Sequence, residues 1–218
     1  FDVLVSFVAL IVLSPVLLTV ALIVKLHDKG PVLFIQDRVT YENKVFRIYK
    51  FRSMIPNAEK HTGAVQASDN DPRITPIGRV LRATRIDELP QFINVLKGQM
   101  SIVGPRALRI EEVNQFEEQD SHFKFRANVK AGITGLAQTL GKYDTTFDDK
   151  LRLDLLYMRN YSFVKDLAII FETVKVIFDR ESSRGVKENI PFDEFVKYHG
   201  FKLEIVDENC VFLKSIAK

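Results

Sequence analysis

The chain is poor in the residues that define several common protein classes. Its 218 residues contain a single cysteine, Cys210, which excludes an internal disulfide, and no Cys/His set has zinc spacing. No GxxxxGK[ST] sequence is present, which argues against a P-loop. Lys+Arg 31 against Asp+Glu 28 leaves a net charge of +3, which is too small to predict a nucleic-acid partner. The length suits one good-sized domain or two small ones.

One long run, residues 3–24, carries no charge and is 22 residues long. A bilayer-spanning helix needs about 20 apolar residues, so the length suffices. Nothing after the run resembles a signal-peptide cleavage site. Proline removes a helix hydrogen bond, so we expect a bend at Ser14 and Pro15, with the Ser14 hydroxyl serving a freed carbonyl. Two interpretations stay open: a helix that spans a membrane, and one that enters and leaves on the same face.

The rest of the sequence predicts a mainly helical α+β fold. Alternating residues predict a β-hairpin over 32–51, VLFIQDRV and KVFRIYKF around YEN. Helical patterns cover 56–61, 77–84, 108–125 and 151–178, the last broken near Asn160. The apolar residues of 151–178 fit either a buried core helix or a helix in a membrane interface. The glycines of 129–146 predict a loop with close backbone approach. A linker at 180–187, a short helix at 191–200 and a hairpin at 201–217 complete the chain.

An acidic pair, Asp87 and Glu88, stands out within residues 81–106, LRATRIDELPQFINVLKGQMSIVGPR. Pro90 favours a helix start, so we predict a helix over 90–97 that is closed by Gly98. The acid pair would lie at the N-terminus of that helix, whose positive end favours carboxylate and phosphate. Three arginines precede the pair and one follows it: Arg79, Arg82, Arg85 and Arg106. This combination indicates phosphate chemistry.

Two chemical interpretations of the acid pair stay open on the residues alone. In the first, one carboxylate attacks or accepts a proton while the other holds a divalent metal. Arginines would orient phosphate and keep an attacking aspartate ionised. In the second, which the residues alone favour slightly, Asp87 and Glu88 form a capping cluster paired with Arg82 and Arg85. Lys50 and Arg52, at a strand end, are either a solvated edge or a phosphate-facing pair.

Several segments in order resemble the bacterial sugar transferase family, the monotopic polyprenyl-phosphate phosphoglycosyl transferases. They are the Ser14-Pro15 helix, GPVLFIQDRV, FRIYKFRSM, DPRITPIGRVLR, DELPQFINVLKGQMSIVGPR, VKAGITGLAQTLGKYD and LDLLYMRNYSFVKDL. The resemblance covers residues 1–178. It implies transfer of a sugar-1-phosphate from a UDP-sugar to polyprenyl phosphate, usually undecaprenyl phosphate, with release of UMP. It also implies a ping-pong mechanism through an aspartyl phosphosugar, as the first step of glycoconjugate or polysaccharide assembly.

The resemblance further implies roles for individual residues. Asp87 would be the nucleophile and Glu88 the ligand of Mg²⁺. Arg82 and Arg106 would contact phosphate or nucleotide, and Lys50 and Arg52 fall in a basic strand-end motif. Two positions depart from the family pattern. Ala107 stands where proline is common after the GPR arginine, and Arg85 stands where a small polar residue is usual, so it would either bind phosphate or pair with Glu88.

The resemblance also implies organisation and location. Residues 1–29 would be a re-entrant membrane helix broken at Ser14 and Pro15, residues 30–179 the catalytic domain with interfacial helices, and residues 180–218 a C-terminal extension. The protein would be monotopic on the cytoplasmic face of the bacterial inner membrane, with the bilayer, a UDP-sugar and polyprenyl phosphate as partners. A homodimer is left open. The alternative to an enzyme is a membrane-anchored scaffold with a decayed site, for which Ala107 is the sequence support.

Overall fold

The computed structural model describes residues 1–58, 71–140 and 146–178, together with the backbone of 201–207 and 210–215. Seven α-helices lie in the described part: α1 (Asp2–Asp28), α2 (Pro76–Ala83), α3 (Gln91–Leu96), α4 (Ile110–Gln119), α5 (Leu136–Leu140), α6 (Phe147–Arg159) and α7 (Phe163–Phe178). Six strands form three two-stranded sheets: β1 (Leu33–Val39) with β2 (Val45–Phe51), β3 (Ser101–Val103) with β4 (Gly132–Thr134), and β5 (Phe201–Asp207) with β6 (Cys210–Ser215). The expected mainly helical α+β fold is confirmed.

Helix α1 continues through Pro15 without interruption. The Ser14 hydroxyl donates to the carbonyl oxygen of Ile11 at 2.7 Å. That carbonyl would have accepted from the N–H that proline lacks, so the side chain replaces the missing backbone bond. Thr19 Oγ1 likewise donates to the carbonyl of Pro15 at 2.8 Å. The prediction that Ser14 serves a freed carbonyl is confirmed, whereas the prediction that the helix breaks there is wrong.

Both ends of α1 are tied to the domain that follows it. At the first end, Ser101 Oγ of β3 donates to Asp2 Oδ2 at 2.6 Å. At the other, the guanidinium of Arg52 forms a two-pronged ion pair with Asp28. Between these ends most of the helix is exposed. Within the described residues, α1 is the one helix long and apolar enough to cross a membrane by length and composition.

The predicted β-hairpin is confirmed. Strands β1 and β2 are antiparallel, with Val39 opposite Val45 and Leu33 opposite Phe51. Alternate side chains of β2 point inward, and they join a core that lies under the hairpin. The largest buried cluster comprises Phe46, Ile48, Val95, Met100, Ile102, Val103, Ala107, Ala131, Tyr157 and Ile169. The hairpin therefore covers one side of the core, and Lys50 lies near the end of β2.

Strands β3 and β4 form a short parallel pair, and β4 lies where the sequence predicted a loop. Ser101 is opposite Gly132, and Val103 is opposite Thr134. The glycines here permit close backbone approach: a Cβ on Gly132 would lie 2.2 Å from the nitrogen of Gly104, and one on Gly135 would lie 2.2 Å from the Gly104 oxygen. The expected close approach is thus confirmed. The loop prediction is wrong for β4 and α5, because three-residue strands carry no readable periodicity.

Helices α6 and α7 confirm the predicted break near Asn160, which ends α6. Helix α7 buries Asp166 and Ile169. It leaves a set of large apolar side chains exposed, which are Phe163, Val164, Phe171 and Val174. A fully buried core helix is therefore excluded.

The remaining predictions concern the chain's less regular parts. The C-terminal hairpin is confirmed by β5 and β6. The helix predicted at 191–200 lies outside the described residues. Of the helix predicted at 56–61, residues 56–58 form a turn and the rest lies outside the described residues.

Candidate active site

A turn between two helices presents the acid pair. Thr75 caps α2 by accepting from the backbone N–H of Gly78 at 2.9 Å. The chain then reverses at Arg85, which has a left-handed φ of 57°, and forms a 3-10 turn, Ile86–Glu88. Helix α3 follows, and Pro90 is its N-cap residue. The predicted helix at 90–97 is confirmed, but the acid pair lies in the preceding turn, and a six-residue helix contributes little dipole.

Glu88 is held by two cations. Lys50 Nζ lies 2.6 Å from Glu88 Oε1, and Arg106 Nη2 lies 3.5 Å from the same oxygen. Glu88 and Lys50 are nearly buried, with 12% and 17% of their side chains exposed. Burial alone would raise the pKa of Glu88, but the charges of Lys50 and Arg106 outweigh it and lower the pKa to about 2. Glu88 is therefore a fixed anion at any physiological pH.

Asp87 has the opposite environment. It is 8% exposed, and its carboxylate makes no hydrogen bond or ion pair with the described part of the chain. Burial, reinforced by the neighbouring charge of Glu88, raises the pKa of Asp87 to about 6. Lys50, Arg82 and Arg85 act in the opposite direction but do not prevail. The arginines favour the ionised form of Asp87, as expected, but desolvation is the larger effect and the net pKa is raised.

The capping interpretation of the acid pair is also wrong. No side chain caps α3. Among the described residues neither carboxylate forms an ion pair with Arg82 or Arg85. Arg85 is exposed on its turn, and Arg82 is half-buried, with a buried Nη1 that has no hydrogen-bond partner in the described part of the chain. Both arginines influence Asp87 through space rather than by contact.

Arg106 is positioned by its backbone. It forms a bridge to Gly132, and its carbonyl accepts from Arg126 Nη2 at 3.0 Å. Arg126 in turn donates from Nε to Asp154 Oδ2 at 2.8 Å; Asp154 is buried and the Arg126 side chain is 10% exposed. The next residue, Ala107, is buried, and its carbonyl accepts from Arg38 Nη1 at 3.3 Å. Two arginine side chains thus hold the turn at the position where the family commonly has proline.

Arg52, Ser14 and Pro15 are not brought to the acid pair. Besides Asp28, Arg52 donates to the carbonyl of Pro31 at 2.6 Å and to that of Met54 at 3.2 Å. It is 7% exposed. These contacts make Arg52 a link between α1 and the end of β2. Ser14 and Pro15 lie within α1.

A small cavity beside Glu88, partly open to solvent, is lined in part by residues that no sequence pattern singled out. Its walls include Arg38, Lys50, Glu88, Gln91, Arg106 and Gly132. Gln91 was visible in the sequence as the third residue after Glu88, one helical turn away, but nothing separated it from an ordinary helix residue. Arg38 lies in β1, where the sequence pattern marked it only as one polar residue of an alternating strand. Cations outnumber Glu88 around this cavity, so it favours an anion.

Asp87 and Glu88 are too few to hold a magnesium ion by themselves, so a bound substrate would have to supply further ligands. No group of three His, Cys, Asp or Glu side chains that could hold a metal occurs among the described residues. Magnesium is commonly bound through one or two carboxylates, with waters and substrate phosphates completing the shell. Both cation contacts of Glu88 use Oε1, which leaves Oε2 for such a role. The donor set therefore fits Mg²⁺ bound together with a phosphorylated substrate.

Comparison with known proteins identifies the class. Residues 1–180 match the family described as bacterial sugar transferase, and the chain belongs to this family. It is 45% identical over 179 residues to the UDP-N-acetylgalactosamine-undecaprenyl-phosphate N-acetylgalactosaminephosphotransferase of Aeromonas hydrophila, covering 81% of this chain and 42% of that protein.

Two further relatives differ in length. The chain is 45% identical over 178 residues to the UDP-glucose:undecaprenyl-phosphate glucose-1-phosphate transferase of Klebsiella pneumoniae, covering 79% of this chain and 38% of that protein. It is 44% identical over 182 residues to the exopolysaccharide production protein PSS of Rhizobium leguminosarum bv. phaseoli, covering 80% of this chain and 91% of that protein. The chain thus spans about two fifths of the first two relatives and most of the third.

Proposed function

We propose that this chain is a phosphoglycosyl transferase, which moves a sugar-1-phosphate from a UDP-sugar to polyprenyl phosphate, with undecaprenyl phosphate as the acceptor, and releases UMP. The names of the relatives support this reaction class. The relatives are named for different sugars, N-acetylgalactosamine, glucose and galactose, so the proposal extends to the UDP-sugar class. The product would be the first lipid-linked intermediate of polysaccharide or glycoconjugate assembly.

One observation carries the proposal: Asp87 is a buried carboxylate that no cation or donor in the described part of the chain contacts. An unpaired buried carboxylate is costly, so a protein keeps one where it has a task. Glu88, one residue away, is ionised and is paired through Oε1 with Lys50 and Arg106. This division suits a nucleophile beside a charge-holding residue.

In the first step, a carboxylate oxygen of Asp87 attacks the phosphorus that bears the sugar. The new oxygen–phosphorus bond makes an aspartyl phosphosugar, and the bond from that phosphorus to the UMP oxygen breaks. UMP leaves with the electron pair of the broken bond. Arg106 and Lys50 lie where they can offset charge on the diphosphate, and Arg82 and Arg85 lower the cost of negative charge on Asp87.

In the second step, a phosphate oxygen of the lipid attacks the same phosphorus. The bond between Asp87 and the phosphorus breaks, which regenerates the carboxylate and yields polyprenyl diphosphate sugar. The two substrates therefore use the site in turn, and the site need not hold both at once.

Mg²⁺ would be held by Glu88 together with diphosphate oxygens, and when bound it would neutralise charge on the leaving phosphate. Lys50 fixes the orientation of Glu88 and thereby presents its second oxygen. Arg52 has a supporting role, because it ties the end of β2, and so Lys50, to α1.

We propose further that the protein is monotopic, with α1 inserted into the bacterial inner membrane from its cytoplasmic face. At 1.5 Å per residue the helix is about 40 Å long, and a spanning helix would carry one end about 30 Å away to the far side. Both ends of α1 instead contact the same domain, at Ser101 and Arg52. The exposed apolar face of α7 supports an interfacial position for that helix.

The alternative, a scaffold with a decayed site, has Ala107 as its support. The contacts of the turn weaken it, because Arg38 holds the Ala107 carbonyl and Arg106 still reaches Glu88. Magnesium-dependent release of UMP from any member of a UDP-sugar panel tests the choice. Release that requires Asp87 supports the transferase, whereas a folded chain that releases no UMP across the panel supports the scaffold.

A further inference from the structure

The side chain of Gln91 is anomalous for a buried amide. Gln91 is 3% exposed, yet its amide makes no hydrogen bond with the described part of the chain. Buried polar groups are nearly always paired, because an unpaired one destabilises the folded state. The amide atoms are not completely enclosed, and Gln91 forms part of the cavity wall beside Glu88. Its hydrogen-bonding capacity is therefore directed at the cavity.

Asn94, one turn later on the same short helix, shows what a structural amide looks like here. Asn94 is fully buried, its Nδ2 donates to the carbonyl of Arg47 at 2.7 Å and to Gln99 Oε1 at 2.9 Å, and its Oδ1 accepts from the N–H of Tyr49 at 3.0 Å. Asn94 thus connects α3 to β2. The contrast indicates that the structure has no internal use for the Gln91 amide.

The surroundings of Gln91 define what the amide would bind. Lys50, Arg106 and Arg38 share the cavity with it, and Glu88 is the one carboxylate among the cavity-lining residues. Such a cavity favours an anion with several oxygens. The amide NH₂ is a donor that adds no further charge, so it complements the lysine and arginines around a phosphate group.

We propose that Gln91 is a substrate-binding residue whose side-chain amide donates a hydrogen bond to a phosphoryl oxygen of the phosphorylated substrate bound beside Glu88. This inference rests on the proposed function for the identity of the substrates. The phosphoryl oxygen belongs either to the donor diphosphate or to the lipid phosphate, and the two half-reactions separate these sources.

The test uses Gln91→Met, which keeps the length of the side chain and removes the amide. An unpaired buried amide is lost, so the substrate-free variant should unfold at the same or a higher temperature than the wild type. Affinity for the phosphorylated ligand, in contrast, should decrease. We expect affinity for pyrophosphate, measured by calorimetry with and without Mg²⁺, to fall roughly ten- to a hundredfold, the factor typical of a lost hydrogen bond to a charged group.

Controls separate this role from a structural one. Asn94→Leu should lower the unfolding temperature, because three hydrogen bonds are lost. Gln91→Glu should weaken pyrophosphate binding more than Gln91→Met, because a carboxylate repels the phosphate. The two half-reactions then show which phosphate Gln91 contacts. Slower single-turnover UMP release in Gln91→Met indicates the donor diphosphate, and slower transfer from the preformed covalent adduct indicates the lipid phosphate.

The proposal is overturned if Gln91→Met unfolds at a lower temperature while pyrophosphate affinity stays within twofold of the wild type. It is also overturned if both half-reactions proceed at wild-type rates. A wild-type chain that binds pyrophosphate through Gln91 yet releases no UMP from any UDP-sugar would instead contradict the proposed transferase.

Discussion

At the scale of single residues, two adjacent carboxylates have been given opposite electrostatic environments. Glu88 is buried with Lys50 and Arg106, which hold its pKa down to about 2. Asp87 is buried without a contact partner among the described residues, and its pKa is raised to about 6. Pairs of titratable groups whose pKa values are pushed apart commonly mark a division of catalytic roles.

Replacing Asp87 should stabilise the folded chain at neutral pH. A folded-state pKa of about 6 lies above the ordinary 3.8, so the folded state favours the protonated acid, and stability is lost as pH rises through 6. Asp87→Asn mimics the protonated acid. We expect its free energy of unfolding to exceed that of the wild type by up to about 3 kcal/mol above pH 6, with the difference vanishing below about pH 4.

Chemical denaturation of both proteins between pH 4 and 8 measures this difference. A Glu88→Gln variant is the matched control and should be destabilised across the same range, since it leaves Lys50 without its ion pair. An Asp87→Asn variant that is less stable than the wild type at pH 8 would show that the carboxylate is structurally engaged.

The rate of the first step, in which UDP-sugar reacts with Asp87, should depend on the same ionisation of Asp87. The nucleophile must be ionised, so kcat/KM for UDP-sugar should fall about tenfold per pH unit below about pH 6. Glu88 stays ionised throughout this range. Single-turnover UMP release without acceptor isolates this step, which matters because a lipid phosphate also titrates near pH 6. A rate that is constant between pH 4.5 and 7 would contradict the assignment of Asp87.

The residue types of the site could be predicted from the sequence, but their environments could not. The order of acids, arginines and Pro90 pointed to phosphate chemistry, and the structure brings Lys50, Glu88 and Arg106 together. Whether burial or arginine charge decides the pKa of Asp87 depends on solvent exposure, which a local pattern does not encode. Gln91 was missed for the same reason, because an unsatisfied amide is recognised only by its lack of partners.

At the scale of elements, the segments with strong periodicity were predicted well and the shortest ones were not. The β1–β2 hairpin and the division between α6 and α7 follow from alternation and helical spacing. The β3–β4 pair depends on glycines that let two backbones meet, and each strand has only three residues. The break expected in α1 fails because the Ser14 hydroxyl supplies the bond that Pro15 removes.

The glycine contact beneath the site should tolerate no side chain. An added Cβ at Gly132 would lie 2.2 Å from the Gly104 nitrogen, far inside van der Waals contact. We expect Gly132→Ala to lower the unfolding temperature strongly and to abolish activity, because Arg106 bridges to Gly132. Gly98→Ala, at a left-handed φ of 71° but with an added Cβ that would lie 3.9 Å from Lys130 Nζ, an ordinary contact, should cost only about 1 kcal/mol. Equal stability of Gly132→Ala and the wild type would contradict this packing.

The hydrogen bonds from Asp154 through Arg126 to the Arg106 carbonyl should position Arg106. Arg126→Met combined with Asp154→Asn removes the hydrogen bond to the Arg106 carbonyl without stranding a buried charge. We expect kcat/KM for the donor to fall about tenfold, the effect of one net hydrogen bond. In an Arg106→Ala background the same pair of changes should have little further effect. Full additivity would show that Arg126 acts elsewhere.

At the scale of the whole molecule, the site lies in a domain that both ends of the long apolar helix α1 contact. Contacts of Asp2 with Ser101 and of Asp28 with Arg52 fix that arrangement. Under the proposed function, this arrangement would hold Asp87 beside the membrane, where a soluble donor and a lipid acceptor could reach it in turn.

Both ends of α1 should therefore face the same side of the bilayer. Single cysteines at Phe1 and Lys29, in a Cys210→Ser background, can be labelled with a membrane-impermeant maleimide in intact cells and in inverted vesicles. We expect both positions to react only in inverted vesicles. Labelling of either position in intact cells, from outside the inner membrane, would contradict the monotopic arrangement.

The covalent adduct on Asp87 tests the central claim most directly. Incubating the detergent-solubilised chain with Mg²⁺ and a UDP-sugar, without lipid acceptor, should increase its intact mass by one sugar phosphate and release one equivalent of UMP. Peptide mapping should place the adduct on Asp87, and addition of polyprenyl phosphate should remove it. UMP release that proceeds in Asp87→Asn, or an adduct on another residue, would contradict the account.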